Sequence, residues 1–232
     1  MNFVDREMEL NLLDDLYQRQ GAQFLILYGR RRIGKTRLVT HWLSRPGERH
    51  PSPDKPGTFL YWMATQTSAT NQLRAFSQTL FQFLNPGAQI EPTFSYASWG
   101  AALDEVRRVS AQERLVLILD EFTYVMQADS QVPSLIQGAW DHQLKERSAV
   151  FLILTGSLAG MIQRHVLDYQ LKNCVGSGLQ SRRTSVRCPS CRSGLGVSGH
   201  KKPRLMLWQS TGGLETFCWG SANGVPARWD GT

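Results

Sequence analysis

Four short apolar runs alternate with amphipathic stretches over the first 170 residues, and this alternation limits the possible folds more than any other feature. The runs, each of a length typical of a buried strand, are residues 24–28, 58–63, 115–119 and 150–154. Apolar residues recur at helical spacing in stretches around them, including residues 6–19, 73–84, 99–109 and 132–140. Strands separated by helices pair in parallel through right-handed crossovers, which predicts a three-layer α/β fold around a parallel sheet.

The first apolar run leads into a loop that fits the pattern G-x-x-x-x-G-K-[ST] at every fixed position. Its residues are Gly29, Arg30, Arg31, Arg32, Ile33, Gly34, Lys35 and Thr36, with Arg37 next in the predicted helix. Such a loop turns N–H groups toward phosphate oxygens, and the following helix presents its positive end to the same anion. Lys35 can reach the β- and γ-phosphates, and the Thr36 hydroxyl can bind Mg²⁺. The three arginines either add positive potential or form a solvated turn.

Two carboxylates, Asp120 and Glu121, follow the third apolar run. Asp120 is predicted to hold Mg²⁺ together with Thr36, and Glu121 to accept a proton from the attacking water. The fourth run ends at Thr155 and Ser157, whose hydroxyls either sense the γ-phosphate or open the next helix as an N-cap; we favour Ser157 as the sensor. Because ligands of parallel sheets bind beyond the carboxyl ends of the strands, we expect all these residues at one site.

These segments together resemble the archaeal-type ATPases, a family of AAA+/STAND P-loop ATPases found in archaea and bacteria. The resemblance rests on residues 3–10, 27–36, 119–122 and 154–157 with Met161, in the correct order. Over residues 1–168 it implies a P-loop core of the additional-strand type, ATP with Mg²⁺, and Glu121 as the catalytic glutamate. It also implies that Val4 and Arg6 lie near the adenine. An ordinary first helix with Asp5 as its N-cap explains the same opening residues.

The charge of the chain is divided unevenly at about residue 170. Residues 1–170 hold 17 Lys+Arg and 17 Asp+Glu, whereas residues 171–232 hold nine basic and two acidic residues. The second part is rich in glycine and serine, and we find no convincing helical or strand periodicity in it. We therefore predict a P-loop ATPase domain at 1–170 and a basic, irregular tail at 171–232 that is poorly ordered or not native to the domain.

A C-x-x-C pair, Cys188 and Cys191, lies in this tail. A pair with this spacing can supply two corners of a zinc tetrahedron, and Cys174, Cys218 or His200 would have to supply the others. The sequence has no second close cysteine pair, so we favour reduced thiols over a zinc site.

The residues favour a regulatory ATPase that binds ATP and hydrolyses it with Mg²⁺, with Lys35, Glu121 and Ser157 acting in catalysis. One alternative is a nucleic-acid-binding module that uses ATP as a switch and contacts DNA through the basic tail or a missing C-terminal region. Another is a signalling scaffold that holds nucleotide without turnover. The resemblance ends near Tyr169, so it assigns neither a second sensor nor an arginine from a neighbouring subunit.

Further expectations concern partners and location. We expect a protein partner or a homo-oligomer beside ATP, and no membrane, since no apolar run reaches the roughly 18 to 20 residues that span a bilayer. The N-terminus lacks the basic and apolar regions of a secretion signal, which predicts a cytoplasmic protein.

Overall fold

A computed structural model describes residues 6–29, 31–45 and 59–157, together with the backbone of two segments near the C-terminus. The four predicted strands are present as β1 (Gln23–Gly29), β2 (Phe59–Met63), β3 (Val116–Asp120) and β4 (Phe151–Gly156). They pair in parallel in the order β2-β3-β4-β1. The additional strand β4 thus separates β1, which leads into the loop, from β3, which carries the acids. The predicted α/β fold with a parallel sheet is confirmed.

One helix precedes β1, and the others lie in the connections between these strands. They are α1 (Glu7–Gln18), α2 (Lys35–Ser44), α3 (Ala69–Leu84), α4 (Trp99–Ser110), α5 (Thr123–Ala128), α6 (Val132–Ala139) and α7 (Lys145–Arg147), with a π-helical turn at Trp140–Leu144. Ser68 and Ser98 cap α3 and α4 by accepting a backbone N–H three residues later. The N-cap position of α1 is Arg6, so the prediction of Asp5 as the cap is wrong. The helix begins one residue later than the prediction requires.

The central strands are buried on both faces, which explains their unbroken apolar sequences. Every residue of β1, β3 and β4 is buried. Alternate side chains contact different layers: Leu25 and Ile118 pack with α1 and α2, whereas Phe24 packs with helices on the other face. Because side chains two residues apart share a face, Asp120 lies on the same side as Ile118, toward α2.

Two further strands in the tail extend the sheet. β5 (Arg204–Gln209) pairs antiparallel with β6 (Leu214–Gly220), and β6 pairs antiparallel with β1. The complete order is β2-β3-β4-β1-β6-β5. In these two segments the structure differs from the irregular tail that the sequence predicts. Each of these strands is too short to show a clear hydrophobic periodicity in the sequence. Their backbone hydrogen bonds are made by pairing with β1 and with each other, which the local sequence does not predict.

Several predictions fall on residues that the structure does not describe. The helix expected after Ser157, the cysteine pair at 188 and 191, and the boundary at residue 170 lie outside the described residues, so they stay predictions. Within the described ranges, none of the helices combines the length and the apolar character that crossing a bilayer requires.

Candidate functional site

The phosphate loop, residues 29–36, joins the end of β1 to the start of α2. Arg32 and Gly34 have positive φ angles of 67° and 89°. A Cβ at Gly34 would meet nothing within 4 Å, so the backbone conformation, not the space, favours glycine there. The Leu38 amide donates to the Gly34 carbonyl at 2.8 Å, which starts α2 directly at the loop. The N–H groups of the first turn of α2 therefore lie beside the loop, where an anion is stabilised.

Lys35 carries a buried ammonium at the start of α2. The residue is only 5% exposed, and its Nζ donates to the Gly29 carbonyl at 3.1 Å. Burial lowers the pKa of Lys35 from its usual value, and the charge of Arg31 acts in the same direction. The carboxylates of Glu121 and Asp120 oppose this by favouring the charged form. The loop lysine and both acids are therefore close enough to influence one another.

Asp120 is fully buried at the end of β3, and hydrogen bonds satisfy its carboxylate. Oδ2 accepts from the Tyr61 hydroxyl at 2.6 Å. Oδ1 accepts from the Thr155 hydroxyl and, at 2.9 Å, from the Glu121 N–H. Burial and the hydrogen bond to Asp120 both raise the pKa of Tyr61, which therefore stays a neutral donor. The three donors come from β2, from β4 and from the chain just after β3, so the sheet itself orients the carboxylate.

Glu121 has a left-handed backbone conformation, with φ at 50°. Such a conformation costs a non-glycine residue about 1 to 3 kcal/mol, and it commonly occurs at functional sites. The N–H of the next residue, Phe122, donates to the Thr155 carbonyl at 2.8 Å. The Ser157 hydroxyl lies 3.0 and 2.9 Å from the two Glu121 carboxylate oxygens and donates to this group. The turn after β3 thus holds the Glu121 side chain against the end of β4.

We call Asp120 and Glu121 the acid pair. The hydroxyls of Thr155 and Ser157, at the end of β4, both face this pair. Thr155 donates to Asp120, and Ser157 donates to Glu121. The alternative, in which one of these hydroxyls opens the next helix as an N-cap, concerns residues after Ser157 that lie outside the described part of the chain. A sensing role for Ser157 stays a prediction, and the geometry adds that it would act through Glu121.

Two arginine side chains connect the phosphate loop to neighbouring helices. The Arg6 guanidinium donates to the Ile33 carbonyl at 3.1 Å and pairs with Glu9 at 2.8 Å. Arg31 donates to the Tyr124 hydroxyl at 2.8 Å and so connects the loop to α5. Arg6 thus contacts the backbone of the loop. The family resemblance implies that Arg6 lies near the adenine, and that role stays a prediction.

The remaining predicted residues are divided between the described and undescribed parts. Thr36 is partly buried in the first turn of α2, and Arg32 and Arg37 are exposed near it. Val4 and Arg30 lie outside the described residues. Sequence reasoning missed Tyr61 and Tyr124, because a tyrosine inside an apolar strand or a short helix looks like an ordinary packing residue.

The oxygen groups at this site suit Mg²⁺. Magnesium prefers oxygen ligands and takes one or two carboxylates from a protein when phosphates and water supply the rest. The Asp120 carboxylate and the Thr36 hydroxyl are groups of this kind. Among the described residues, no three His, Cys, Asp or Glu side chains come together as a metal cage, and this chemistry does not need one.

An Arg6→Ala substitution tests the loop contact. We expect it to lower the affinity for ATP about fivefold, because one hydrogen bond of roughly 1 kcal/mol that shapes the loop is lost. Inorganic triphosphate should lose affinity by the same factor, since the loop backbone contacts phosphate and not base. Glu9→Gln is the matched control, because it keeps the bond from Arg6 to Ile33. A loss confined to ATP would instead support the adenine role of Arg6.

Comparison with known proteins finds a matching family and similar proteins. Residues 3–173 match a family described as an ATPase domain predominantly from Archaea. An uncharacterized protein of Methanocaldococcus jannaschii is 30% identical over 186 residues, which make up 79% of this chain and 35% of that protein. An uncharacterized ATP-binding protein of the same organism is 46% identical over 41 residues, 18% of this chain and 70% of that one. The first of these relatives is thus much longer than the region shared with this chain.

Among solved structures, the Walker-type ATPase of Pyrococcus abyssi is similar, with a TM-score of 0.47 and 19% identity. The similarity covers 72% of this chain and 49% of that chain. The chain therefore spans about a third of its longer relative and about half of this structure.

Proposed function

The chain belongs to the family of ATPase domains found predominantly in Archaea, and we propose that it binds ATP with Mg²⁺ and hydrolyses the nucleotide at the carboxyl edge of its sheet. One observation carries this proposal: the buried ammonium of Lys35 and the two carboxylates of the acid pair lie at the same edge and act on one another's charge. A triphosphate with its metal is a ligand that brings negative charge to the lysine and positive charge to the acids.

In this proposal, the phosphate loop binds and orients the triphosphate. The N–H groups of the loop and of the first turn of α2 donate to phosphate oxygens. Lys35 exchanges its bond to the Gly29 carbonyl for stronger charge-assisted bonds to the β- and γ-phosphates. An anion at this position favours the charged form of the buried lysine, which desolvation otherwise disfavours.

The acid pair divides two tasks. Asp120 and Thr36 hold Mg²⁺, which when bound neutralises charge on the phosphates. Glu121 orients the attacking water and accepts its proton, which is the role of a general base. Ser157 keeps the Glu121 carboxylate in place through its hydroxyl. Their separate hydrogen-bond partners allow the two neighbouring carboxylates to keep different orientations.

We further propose that the domain is a regulatory ATPase of the AAA+/STAND type, with a protein partner or other copies of itself. The support is the resemblance of residues 3–10 and of the loop, together with the additional-strand order of the sheet. A cytoplasmic location stays a prediction from the sequence.

The deciding experiment is a calorimetric titration of the full chain with ATP, with Mg²⁺ and with EDTA, followed by an assay of phosphate release. We expect ATP to bind more tightly with Mg²⁺ and phosphate to be released only when Mg²⁺ is present. Tight binding with no release would instead support a scaffold that holds nucleotide. Absence of binding in both conditions would overturn the proposal.

A second candidate function, nucleic-acid binding with ATP as a switch, rests on the charge of the tail. Nine basic and two acidic residues occur in residues 171–232. We expect DNA binding, if it occurs, to fall steeply with salt and to be lost when tail lysines and arginines are changed to glutamine in the full chain. Keeping the tail matters, because β6 pairs with β1 and its removal would open that edge. DNA binding that survives these changes would contradict the tail as its source.

A further inference from the structure

Tyr61 lies on the edge strand β2 and reaches the acid pair across one strand spacing. In the parallel register of β2 and β3, Tyr61 is opposite Ile118 and Met63 is opposite Asp120. Tyr61 and Asp120 therefore project from the same face of the sheet, the face that α2 covers. The Tyr61 hydroxyl donates to Asp120 Oδ2 at 2.6 Å, which is a short bond to a carboxylate.

The hydrogen bonds around Asp120 leave little freedom to its carboxylate. Each carboxylate oxygen accepts about two hydrogen bonds. Oδ1 accepts from the Thr155 hydroxyl and from the Glu121 N–H, so it is saturated. Oδ2 accepts from Tyr61 and keeps one acceptor position. Since Asp120 is fully buried, protein donors and not bulk water determine this distribution.

We propose that Tyr61 is a positioning residue of the magnesium site: with Thr155 it holds the Asp120 carboxylate from the two flanking strands and leaves one Oδ2 position for the metal or a metal-bound water. This inference rests on the proposed function, because it concerns how Asp120 meets Mg²⁺. A donor on each side of β3 fixes both the plane and the rotation of the carboxylate. Tyr61 lies outside the phosphate loop and its hydroxyl donates to Asp120, so we expect its effect to pass through that carboxylate.

The physical consequence is a metal affinity that depends on a residue outside the loop and outside the acid pair. Partners that orient a metal ligand commonly change metal affinity or activity by about 10- to 100-fold when they are removed. Without the phenol hydroxyl, Asp120 loses one of its two strand-borne donors and can rotate away from the orientation that meets Mg²⁺. Binding of the nucleotide phosphates to the loop does not involve this bond.

The test uses Tyr61→Phe in the full chain, which removes the hydroxyl and keeps the ring. ATP binding is measured in EDTA and across a Mg²⁺ series, and thermal unfolding is followed in parallel. We expect unchanged ATP affinity in EDTA and a Mg²⁺ midpoint raised about 10-fold or more. Tyr96→Phe is the matched control, since Tyr96 packs against Phe94, on the other side of the sheet from α2. It should leave the Mg²⁺ midpoint unchanged.

A purely structural tyrosine would give a different result. Tyr61→Phe would then lower the unfolding temperature and leave the Mg²⁺ midpoint where it is in the wild type, which would overturn the inference. If Tyr61→Phe does not fold, Thr155→Val removes the opposite donor and carries the same expectation for the midpoint. If the wild-type chain does not bind ATP at all, the proposed function fails. If the wild type responds to Mg²⁺ and the variant responds equally, the inference about Tyr61 alone fails.

Discussion

Replacing Lys35 with alanine is expected to weaken ATP binding by about 30-fold or more. The ammonium is buried at the start of α2, where the charges of both acids act on it, so its bonds to the phosphates are lost with the side chain. Removing one partner of a buried, charge-assisted interaction costs about 2 to 5 kcal/mol, which corresponds to roughly 30- to 5,000-fold in affinity. The fold should persist, because burial disfavours the charged lysine in the absence of ligand.

The measurement is the affinity for ATP with Mg²⁺, compared between Lys35→Ala and the control Arg107→Ala. Arg107 is a basic residue on α4 that pairs with Asp104 at 2.8 Å, away from the loop. The control should bind ATP as the wild type does, which shows that loss of a positive charge elsewhere has no effect. Wild-type affinity in Lys35→Ala would mean that the loop does not hold the triphosphate.

The lowered pKa of Lys35 gives this prediction a pH dependence. The charged form binds phosphate, and burial lowers the pH at which the ammonium loses its proton. ATP affinity is therefore expected to fall as the pH rises through that pKa, and to fall earlier than it would for an exposed lysine. Titrations of the wild type at increasing pH would show this, whereas Lys35→Ala should not share this loss of affinity.

The sequence predicted the sheet and the loop well because their signals are local. Continuous apolar runs identify strands buried on both faces, and the loop pattern fixes the residues between β1 and α2. The position of Asp120 and Glu121 at the same edge followed from the parallel connection rule, and the hydrogen bonds from Thr155 and Ser157 agree with it. These inferences need no knowledge of contacts between distant residues.

The parts that the sequence did not predict depend on pairing across the fold. Tyr61 becomes a partner of Asp120 only through the register of β2 against β3, and no pattern near Tyr61 encodes that register. The left-handed conformation of Glu121 is held by bonds to Thr155 and Ser157, more than thirty residues away. Strand β6 of the tail pairs with β1, which lies almost two hundred residues earlier in the chain. Such long-range choices are made by tertiary contacts, which override weak local preferences.

Glu121→Gln is expected to separate binding from hydrolysis. Glutamine has nearly the same shape as glutamate, and its carbonyl oxygen can still accept a hydrogen bond from Ser157. The loop, Lys35 and Asp120 are unchanged, so ATP and Mg²⁺ should bind as in the wild type. The amide cannot accept the proton of the attacking water, and we expect hydrolysis to slow by about 10²- to 10⁴-fold, the usual contribution of a general base.

The measurement combines ATP affinity with single-turnover phosphate release for Glu121→Gln, Ser157→Ala and the wild type. Ser157→Ala keeps the base but removes the hydroxyl that holds it, so its hydrolysis should fall less than that of Glu121→Gln. This order distinguishes a base from a group that only positions one. Release at the wild-type rate in Glu121→Gln would assign the proton to another acceptor. Equal losses in both variants would mean that hydrolysis requires the Ser157 hydroxyl as much as the Glu121 carboxylate, because a carboxylate that turns away from its water is no better a base than an amide.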